Sequence, residues 1–567
     1  MKMKFHGPLG EVTGSCYELT DSALGLHVLV DYGMKQGVAD AQDWNNAFRP
    51  CDPRTLDFVL LTHAHLDHCG LIPLLYKHGF TGKVICTRET AELAEINLMG
   101  ACKHSALYNR NHVAAIEWEE PPSPVLDFPH KLHRGVTVIF RRTAHILGAT
   151  SLQIEWGSAD DRKQLTFSGD IGNNTRGNEF QSLLRHRIDP PEPITERSYV
   201  VMESTYGGQK VSAMQKNFDV RMSSLKKSVE HTVLDKKGCM IIPCFAIERT
   251  QSVLFDLHYL FATNPELRDV PVLFDARMAG EVNSVYARSL RRTEEIDGEC
   301  RPMWLSEQLH RRMGLDPNSP DDTKLLGELL AATFDPAFEM PIAAADHPSD
   351  TIKNWKRIWR PTSSINGLSS DVRGPSIVIT GSGMCDGGPI VNYFSELLID
   401  KRNTVLLTGY CGPKTNGGKL LWISNQTINQ RKKHHITLTW TNSTINVPLA
   451  SIRADIAKIN GYSGHADHDG LLNWFFGWKN SRHYTAGKTV FLTHGNDDRR
   501  AALAEAIRQK ASAVDAGQSW SAQDLDVQCP ERTDGCYDLE NGAWVTESKR
   551  LKKSSLTESA GEVRLRA

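Results

Sequence analysis

The stretch 60–70, L-L-T-H-A-H-L-D-H-C-G, constrains this chain more than any other part of the sequence. It begins in an apolar run that predicts a buried strand at 58–61, and its potential metal ligands are His63, His65, Asp67 and His68. Zinc favours imidazole nitrogen and carboxylate oxygen, and a turn that leaves a strand can direct alternate side chains to one point. A histidine-rich surface loop is the alternative, but only 22 of the 567 residues are histidine, so this spacing favours a metal site. We expect the first two histidines to bind one ion and the Asp–His pair to bind a second ion beside it.

Composition limits the classes of protein to which the chain can belong. A length of 567 residues predicts about three domains, and a formal net charge of −2 excludes binding to nucleic acid or membranes through overall charge. The 12 cysteines include no C-x-x-C pair, which favours reduced thiols over a disulfide scaffold. No apolar stretch reaches the ~20 residues of a membrane span, and the first residues lack the apolar segment of a signal peptide. We therefore expect a cytoplasmic protein without a membrane segment.

Residues 1–207 are rich in predicted strands. Short apolar segments separated by turn residues predict strands at 16–19, 26–30, 58–61, 83–86, 136–140, 152–156, 164–168 and 199–202. The spacing of apolar residues predicts helices at 71–78 and 88–104. Because so few helices separate so many strands, we expect a two-sheet sandwich with the helices outside.

Three polar residues follow predicted strands of this region. They are Asp31 after L-H-V-L-V, His145 in T-A-H-I-L-G and Asp170 in F-S-G-D-I-G. Each alone is more often a turn former or a structural residue. Together they fit a two-metal site, because the first ion needs a further nitrogen and a carboxylate commonly bridges two ions.

From about residue 208 the pattern changes to alternating helices and strands, which is typical of an α/β domain. Two glycine-rich turns follow its later strands, T-G-S-G-M-C-D-G-G-P at 380–389 and T-G-Y-C-G-P-K-T-N-G-G-K at 408–419. Glycine lets backbone N–H groups approach a phosphate, although an ordinary tight turn accounts equally well for either segment. After residue 430 strand–turn segments return, and they end in S-G-H-A-D with His465 and T-H-G-N with His494.

These motifs resemble the metallo-β-lactamase superfamily. The resemblance is carried by H-x-H-x-D-H after a strand, V-T-G-S at 12–15, V-D-Y-G around Asp31, and the strand-end residues His145 and Asp170. A domain inserted between Glu203 in E-S-T-Y-G and His465 is similar to the β-CASP branch, as are P-C-F-A-I-E-R-T-Q and S-G-M-C-D-G-G-P. The resemblance implies an α/β protein, an αββα sandwich with an inserted α/β domain. It divides the chain into the metallo-β-lactamase domain at 1–207 and 431–512, the β-CASP domain at 208–430, and a polar C-terminal extension at 513–567.

The resemblance also implies a site and an activity. Two zinc ions per chain would be bound, one by His63, His65 and His145, and the other by Asp67, His68 and His494, with Asp170 bridging them and Asp31 supporting the histidine turn. The catalytic residues would be His465 as general acid, Glu203 holding its imidazole, and Asp67. Phosphates of the substrate would contact Ser382, Gly383, Arg249, Lys414 and Lys419. Relatives that act on RNA have histidine at the position of His494, so the resemblance implies a zinc-dependent ribonuclease, with single-stranded RNA as partner.

Other interpretations stay open. A hydrolase of small esters or thioesters, a DNA nuclease and a scaffold without catalysis each use the same fold. The sequence does not distinguish internal cleavage from 5′-3′ exonuclease action, nor does it decide whether the chain forms a homodimer. Arg277 stands where the relatives usually have proline, and Glu248 replaces a small residue. For the remaining segments we expect Trp304, Trp355 and Trp359 to fill a core, and the basic cluster at 549–553 to be solvated.

Overall fold

The fold is taken from a computed structural model. The described residues are 1–38, 40–103, 105–121, 126, 128–175, 178–179, 188, 197–296, 298–363, 370–431, 434–440, 443–476, 488–514 and 525–545. The basic cluster at 549–553 lies outside them.

The first part of the chain forms strands with a few helices. The strands are β1 Lys2–Phe5, β2 Cys16–Asp21, β3 Leu26–Tyr32, β4 Phe58–Leu60, β5 Lys83–Ile85, β6 Trp118–Glu119, β7 His130–His133, β8 Val136–Arg142, β9 Thr150–Ser158, β10 Asp161–Phe167, β11 Asn174–Thr175, β12 Asn178–Glu179 and β13 Arg197–Glu203. The helices are α1 Ala41–Ala47, α2 Leu66–Cys69, α3 Ile72–Lys77, α4 Arg88–Ala101 and α5 Arg110–Ala114. The eight strands and two helices predicted here are confirmed, with shifted ends.

The inserted part alternates helices and strands. Its strands are β14 Cys239–Cys244, β15 Val272–Asp275, β16 Thr293–Ile296, β17 Glu299–Pro302, β18 Trp359–Pro361, β19 Ser376–Gly381, β20 Thr404–Leu407, β21 His435–Trp440, β22 Ser443–Pro448 and β23 Asp455–Lys458. Its helices are α6 Ala213–Lys216, α7 Phe218–Val229 (followed by a π-helix, Glu230–Asp235), α8 Arg249–Thr263, α9 Arg277–Ser289, α10 Glu307–Met313, α11 Pro320–Phe334, α12 Asp350–Lys353, α13 Ser370–Arg373, α14 Ile390–Leu397, α15 Asn416–Ser424 and α16 Ile428–Arg431. The main sheet, in the order β18-β15-β19-β14-β20-β23, is parallel throughout. Strands of such a sheet are covered on both faces, which explains their unbroken apolar runs.

The chain then returns to the first domain with α17 His468–Phe476, β24 Thr489–Thr493, α18 Asp497–Val514, β25 Asp526–Gln528, β26 Cys536–Asp538 and β27 Ala543–Val545. One sheet has the order β27-β26-β1-β2-β3-β4-β5-β6, and the other β25-β24-β13-β10-β9-β8-β7. Their apolar faces meet, with the ring centroids of Phe5 and Phe491 5.4 Å apart and those of Tyr17 and Phe167 5.2 Å apart. This confirms the predicted sandwich with an inserted α/β domain.

Two segments lie elsewhere than the sequence predicts. Strand β23 pairs with β20 of the inserted sheet, although residues after 430 were assigned to the first domain. Residues 526–545, within the predicted polar extension, add one strand to the second sheet and two to the first. Local patterning indicates that a strand exists but not which sheet it joins. In the extension two aromatic rings attach the strands to the core of the first domain, since Tyr537 and Trp544 pack on Phe491.

The three tryptophans expected in a core are buried there, with Trp304, Trp355 and Trp359 at most 8% exposed. Among the described residues, none of the helices combines the length and the apolar character needed to cross a bilayer.

Candidate metal centre

Polar residues at the carboxyl ends of neighbouring parallel strands meet at one edge of the sandwich. Strands β10, β13 and β24 are parallel neighbours, and at their ends lie Asp170, Glu203 and His494. In the facing sheet β3 and β4 are parallel, with Asp31 at the end of one and His63 shortly after the other. Because parallel strands end at the same edge, residues far apart in sequence come together here.

The backbone at this edge is strained. Three non-glycine residues have positive φ values, Asp31 at 56°, Ala144 at 56° and His494 at 48°. Left-handed backbone costs of order 1–3 kcal/mol at a residue with a side chain, and it concentrates at functional sites. Two of these residues are predicted site residues, and the third directly precedes His145.

The ring nitrogens of three histidines form a compact group. His65 Nδ1 lies 3.1 Å from both His63 Nε2 and His145 Nε2. Nitrogen ligands about 2.1 Å from a tetrahedral zinc ion are roughly 3.4 Å apart, so this spacing fits a shared metal ion. The pKa of each of the three imidazoles is lowered, and burial is the largest cause. The rings are therefore neutral, which is the state that binds metal.

Asp170 lies between this group and a second one. Its Oδ2 is 3.5 Å from both His63 Nε2 and His145 Nε2, whereas its Oδ1 is 3.3 Å from His68 Nε2 and 3.5 Å from His494 Nε2. Burial alone raises the pKa of Asp170, but the surrounding histidines, His494 and His68 foremost, hold it well below its usual range. The carboxylate is thus ionised and offers one oxygen to each histidine group.

Three buried atoms of the second group make no hydrogen bond, namely His68 Nε2, Asp170 Oδ1 and His494 Nε2. A buried polar atom without a partner costs about 1–3 kcal/mol, and one cation would satisfy all three. Asp67 Oδ2 lies 3.8 Å from His494 Nε2 and adds a second carboxylate. Imidazole and carboxylate donors in this arrangement fit a divalent metal ion.

The outer ring nitrogens of the second group are held by hydrogen-bond partners. Asp31 Oδ2 is 2.7 Å from His68 Nδ1, and Asp31 also accepts from the backbone N–H and hydroxyl of Thr62 at 2.9 and 2.8 Å. Ser15 Oγ lies 2.9 Å from His494 Nδ1. Such partners fix the orientation of metal-binding histidines. The role of Asp31 as support of the histidine turn stays a prediction. Ser15 was not predicted as a site residue, although V-T-G-S contains it.

His465 lies beside this centre. Its Nδ1 is 3.3 Å from both carboxylate oxygens of Glu203 and 3.9 Å from Asp170 Oδ2. The Glu203 carboxylate also accepts from the backbone N–H groups of Ile171 and Thr205. Burial alone lowers the pKa of His465, but Glu203 and Asp170 raise it to about 10. This histidine therefore carries a proton at neutral pH.

Arg249, predicted to contact phosphates, is engaged by the protein. Its guanidinium donates to the carbonyl oxygens of Thr408 and Tyr462. It thereby joins the end of β20 to the loop that leads to His465. A contact between Arg249 and substrate stays a prediction.

The other predicted phosphate contacts lie on the glycine-rich turns. Lys414 is exposed, and Lys419 Nζ donates to the carbonyl oxygen of Thr437 at 2.6 Å. Ser382 has a φ of 74° and is followed by Gly383, at which a Cβ would lie 2.7 Å from the ring of Phe245. These contacts with substrate also stay predictions.

Two exposed aromatic rings at these turns were not predicted from the sequence. Phe245 follows β14 and is 37% exposed, and Tyr410 follows β20 by three residues and is 66% exposed. Both precede helices at the ends of parallel strands, where substrates commonly bind. An aromatic residue soon after a buried strand was the signal available in the sequence.

Comparisons with known proteins agree with this architecture. Family models match residues 9–181 (metallo-beta-lactamase superfamily), 250–420 (Beta-Casp domain) and 450–516 (Zn-dependent metallo-hydrolase RNA specificity domain). Ribonuclease TTHA0252 of Thermus thermophilus is 29% identical, with 91% of this chain and 97% of the relative covered. Transcription termination factor FttA of Cenarchaeum symbiosum is 24% identical, with 89% and 67% covered. The RNase J-like protein of Methanocaldococcus jannaschii is 24% identical, with 83% and 88% covered. The chain therefore belongs to the metallo-beta-lactamase superfamily, in its Beta-Casp branch, a family of divalent-metal hydrolases.

Proposed function

We propose that this protein is a zinc-dependent ribonuclease that hydrolyses phosphodiester bonds of RNA. The observation that carries the proposal is the position of Asp170, whose two oxygens face two separate histidine groups. One zinc ion would be held by His63, His65 and His145, the other by Asp67, His68 and His494, with Asp170 between them. When bound, two zinc ions supply a hydroxide nucleophile at neutral pH and offset the negative charge that grows on the phosphoryl oxygens.

His465 is the general acid of this proposal. Its Nδ1 faces Glu203, so Nε2 is the atom left to give a proton to the leaving ribose oxygen. Glu203 is fixed by backbone N–H groups and keeps the imidazole both oriented and protonated. General acid catalysis of this kind typically contributes 10²–10⁴-fold to the rate.

RNA is the proposed substrate for two reasons. The model described as an RNA specificity domain matches residues 450–516, which include His465 and His494, and one relative is named a ribonuclease. Single-stranded RNA suits the exposed rings of Phe245 and Tyr410, because unpaired bases stack on aromatic side chains. We place this activity in the cytoplasm, where the 12 cysteines stay reduced.

The proposal is tested with purified protein on matched single-stranded RNA and DNA, each labelled at the 5′ end or internally. We expect cleavage of RNA that a chelator abolishes and added zinc restores. Asp170→Ala should be inactive, whereas Asp160→Ala, in the exposed turn between β9 and β10, should cleave normally. Mononucleotides released from the 5′ end would indicate exonuclease action, and discrete fragments internal cleavage.

A second set of assays covers the alternatives. If the protein cleaved DNA and left RNA intact, DNA would replace RNA as the proposed substrate. If the protein hydrolysed a thioester or nitrocefin and left both nucleic acids intact, the ribonuclease proposal would be overturned. The protein would then be a small-molecule hydrolase.

A further inference from the structure

A second cluster of potential metal ligands lies outside the metal centre. Glu18 on β2, His27 on β3 and Cys51 in the segment after α1 have ligand atoms within 4.8 Å of one another. His27 precedes Asp31 by four residues, roughly 13 Å along an extended strand, so the cluster is separate from the metal centre. We propose that these three residues, the outer cluster, bind a zinc ion of their own.

The hydrogen bonds of His27 direct its second ring nitrogen, Nε2, at the outer cluster. Its Nδ1 lies 3.1 Å from the carbonyl oxygen of Thr55 and 3.0 Å from the hydroxyl of Thr55, which itself donates to the carbonyl oxygen of Asp52. Both neighbours of Nδ1 accept, so Nδ1 carries the ring proton. In the neutral ring, Nε2 then presents its lone pair to Glu18 Oε1 at 2.7 Å. Two acceptors this close require a positive charge between them, either a second ring proton or a metal ion.

The partners of the cluster residues match those of zinc ligands. The proton of His27 Nδ1 goes to a backbone carbonyl, and His6 Nε2, 2.7 Å from Glu18 Oε2, holds the second carboxylate oxygen. Carbonyl and histidine partners of this kind orient metal-binding side chains. Cys51 supplies the sulfur that, with imidazole, selects zinc over calcium or magnesium.

Charge also favours zinc at the outer cluster. A cysteine that binds zinc gives its proton to solvent when the ion binds. One zinc ion with one thiolate, one carboxylate and one neutral imidazole has no net charge.

Glu18 and His27 need only a small movement to bind an ion. Ligand atoms about 2.0–2.1 Å from a tetrahedral zinc ion are roughly 3.3 Å apart, so Glu18 Oε1 and His27 Nε2 would separate by about 0.6 Å. Both side chains are partly exposed, which lets them move without disturbing the core. The bound ion would tie β2 and β3 to the segment that leads into β4 and the histidine turn.

Cobalt substitution tests the outer cluster without any activity measurement. Metal-free protein is loaded with Co²⁺, and the thiolate-to-cobalt charge-transfer absorption in the near ultraviolet is recorded. Among the described residues, Cys51 is the only cysteine within a group of three or more potential ligands, so the metal centre does not produce this band. We expect the band in the wild type and in Cys300→Ser, which changes an exposed cysteine, and its loss in Cys51→Ala.

Zinc content provides the second measurement. Cys51→Ala should hold one equivalent of zinc per chain fewer than the wild type or Cys300→Ser, with unchanged RNA cleavage in zinc-containing buffer. His27→Gln should lose the same equivalent, and it replaces Cys51→Ala if that variant does not fold. Absence of the band in the wild type, or equal zinc content in all variants, would overturn the proposal and leave a hydrogen-bonded His–Glu–His network. Because neither readout depends on RNA, a failure here is distinct from a failure of the ribonuclease proposal.

Discussion

Histidines at the metal centre differ in protonation because their neighbours differ. Burial lowers the pKa of His63, His65 and His145, so that these rings stay neutral and can bind metal. The side chain of His465 is 20% exposed, and Glu203 and Asp170 raise its pKa to about 10 although desolvation alone lowers it. In the proposed mechanism the same side chain would thus serve as ligand in one position and as proton donor a few ångströms away.

His465→Ala tests this division. We expect the rate of RNA cleavage to fall about 10²–10⁴-fold, because the leaving ribose oxygen loses its proton donor. Zinc content should not change, since the metal ligands remain. Single-turnover kinetics and metal analysis measure the two quantities, with His434→Ala, at an exposed position, as the matched control. A variant that loses zinc along with activity would make His465 a ligand instead.

The sequence predicted which residues lie at the centre better than it predicted their partners. His63, His65, Asp170 and His494 were identified because each follows a strand, and strand ends at one sheet edge converge. The contact between Ser15 and His494 joins residues 479 positions apart. Nothing local in the chain encodes such a pair, and the same holds for the carbonyl partners of Arg249.

Among the elements, the short helix α2 and the turn before it depend on close backbone contact with the residues just before β2 and just after β3. Ser15 N–H donates to the carbonyl oxygen of Asp67, and Met34 N–H to that of Leu66, each at 2.8 Å. A Cβ at Gly33 would lie 1.7 Å from the Asp67 carbonyl oxygen. Only glycine lets these segments approach each other without moving the Asp–His pair.

Gly33→Ala should therefore displace Asp67 and His68 and weaken metal binding, with a matching loss of RNA cleavage. Zinc titration and thermal unfolding measure the effect. The matched control is Gly280→Ala within α9, where the nearest atom lies 3.9 Å from an added Cβ. That variant should be as stable as the wild type or more stable by about 0.5–1 kcal/mol, because alanine favours helix. Equal zinc affinity in both variants would show that the contact is unimportant.

For the molecule as a whole, Glu540 joins the two sheets of the first domain. Its carboxylate is 3.1 Å from the amino terminus of Met1 beside β1, 2.9 Å from Trp156 Nε1 on β9 and 2.8 Å from Lys163 Nζ on β10. Burial alone raises the pKa of Glu540, but these donors lower it to about 2. A residue from the predicted polar extension thus connects the first and second sheets.

The pH dependence of unfolding tests this connection. A folded-state pKa below the unfolded value stabilises the fold above about pH 5, and the stabilisation is lost as pH falls towards 2. Glu540→Gln should therefore lower the melting temperature at neutral pH, and its difference from the wild type should shrink in acid. Glu531→Gln, at an exposed carboxyl, should follow the wild type at every pH. A constant difference for Glu540→Gln would exclude the charge as its cause.

The change from a strand-rich region to alternating helices and strands was predictable because hydrophobic period and element order change along the chain. The assignment of each strand to a sheet was not, as β23 and β25 show. β23 is a short segment, and its partner β20 lies about fifty residues earlier. Only packing of the complete inserted domain selects this pairing. β25 joins β24 across α18 and belongs to a segment with few apolar residues.

A buried ion pair links the inserted domain to the loop that carries His465. Arg221 on α7 donates to Asp256 on α8 at 2.9 Å and to the carbonyl oxygen of Gly461 at 3.2 Å, and the Tyr462 hydroxyl donates to Asp256 at 2.6 Å. The side chains of Arg221 and Asp256 are at most 3% exposed. The loop before His465 is therefore anchored by helices of the inserted domain.

Asp256→Ala should destabilise the fold by about 3–5 kcal/mol, because it leaves the Arg221 guanidinium buried without its carboxylate. Urea unfolding measures that change, and RNA cleavage should also fall since the loop before His465 loses its anchor, while zinc content stays constant. Tyr462→Phe removes a single hydrogen bond and should cost about 0.5–1.5 kcal/mol, with a smaller loss of activity. If Asp256→Ala lost stability but cleaved RNA at the wild-type rate, the ion pair would stabilise the inserted domain without positioning His465.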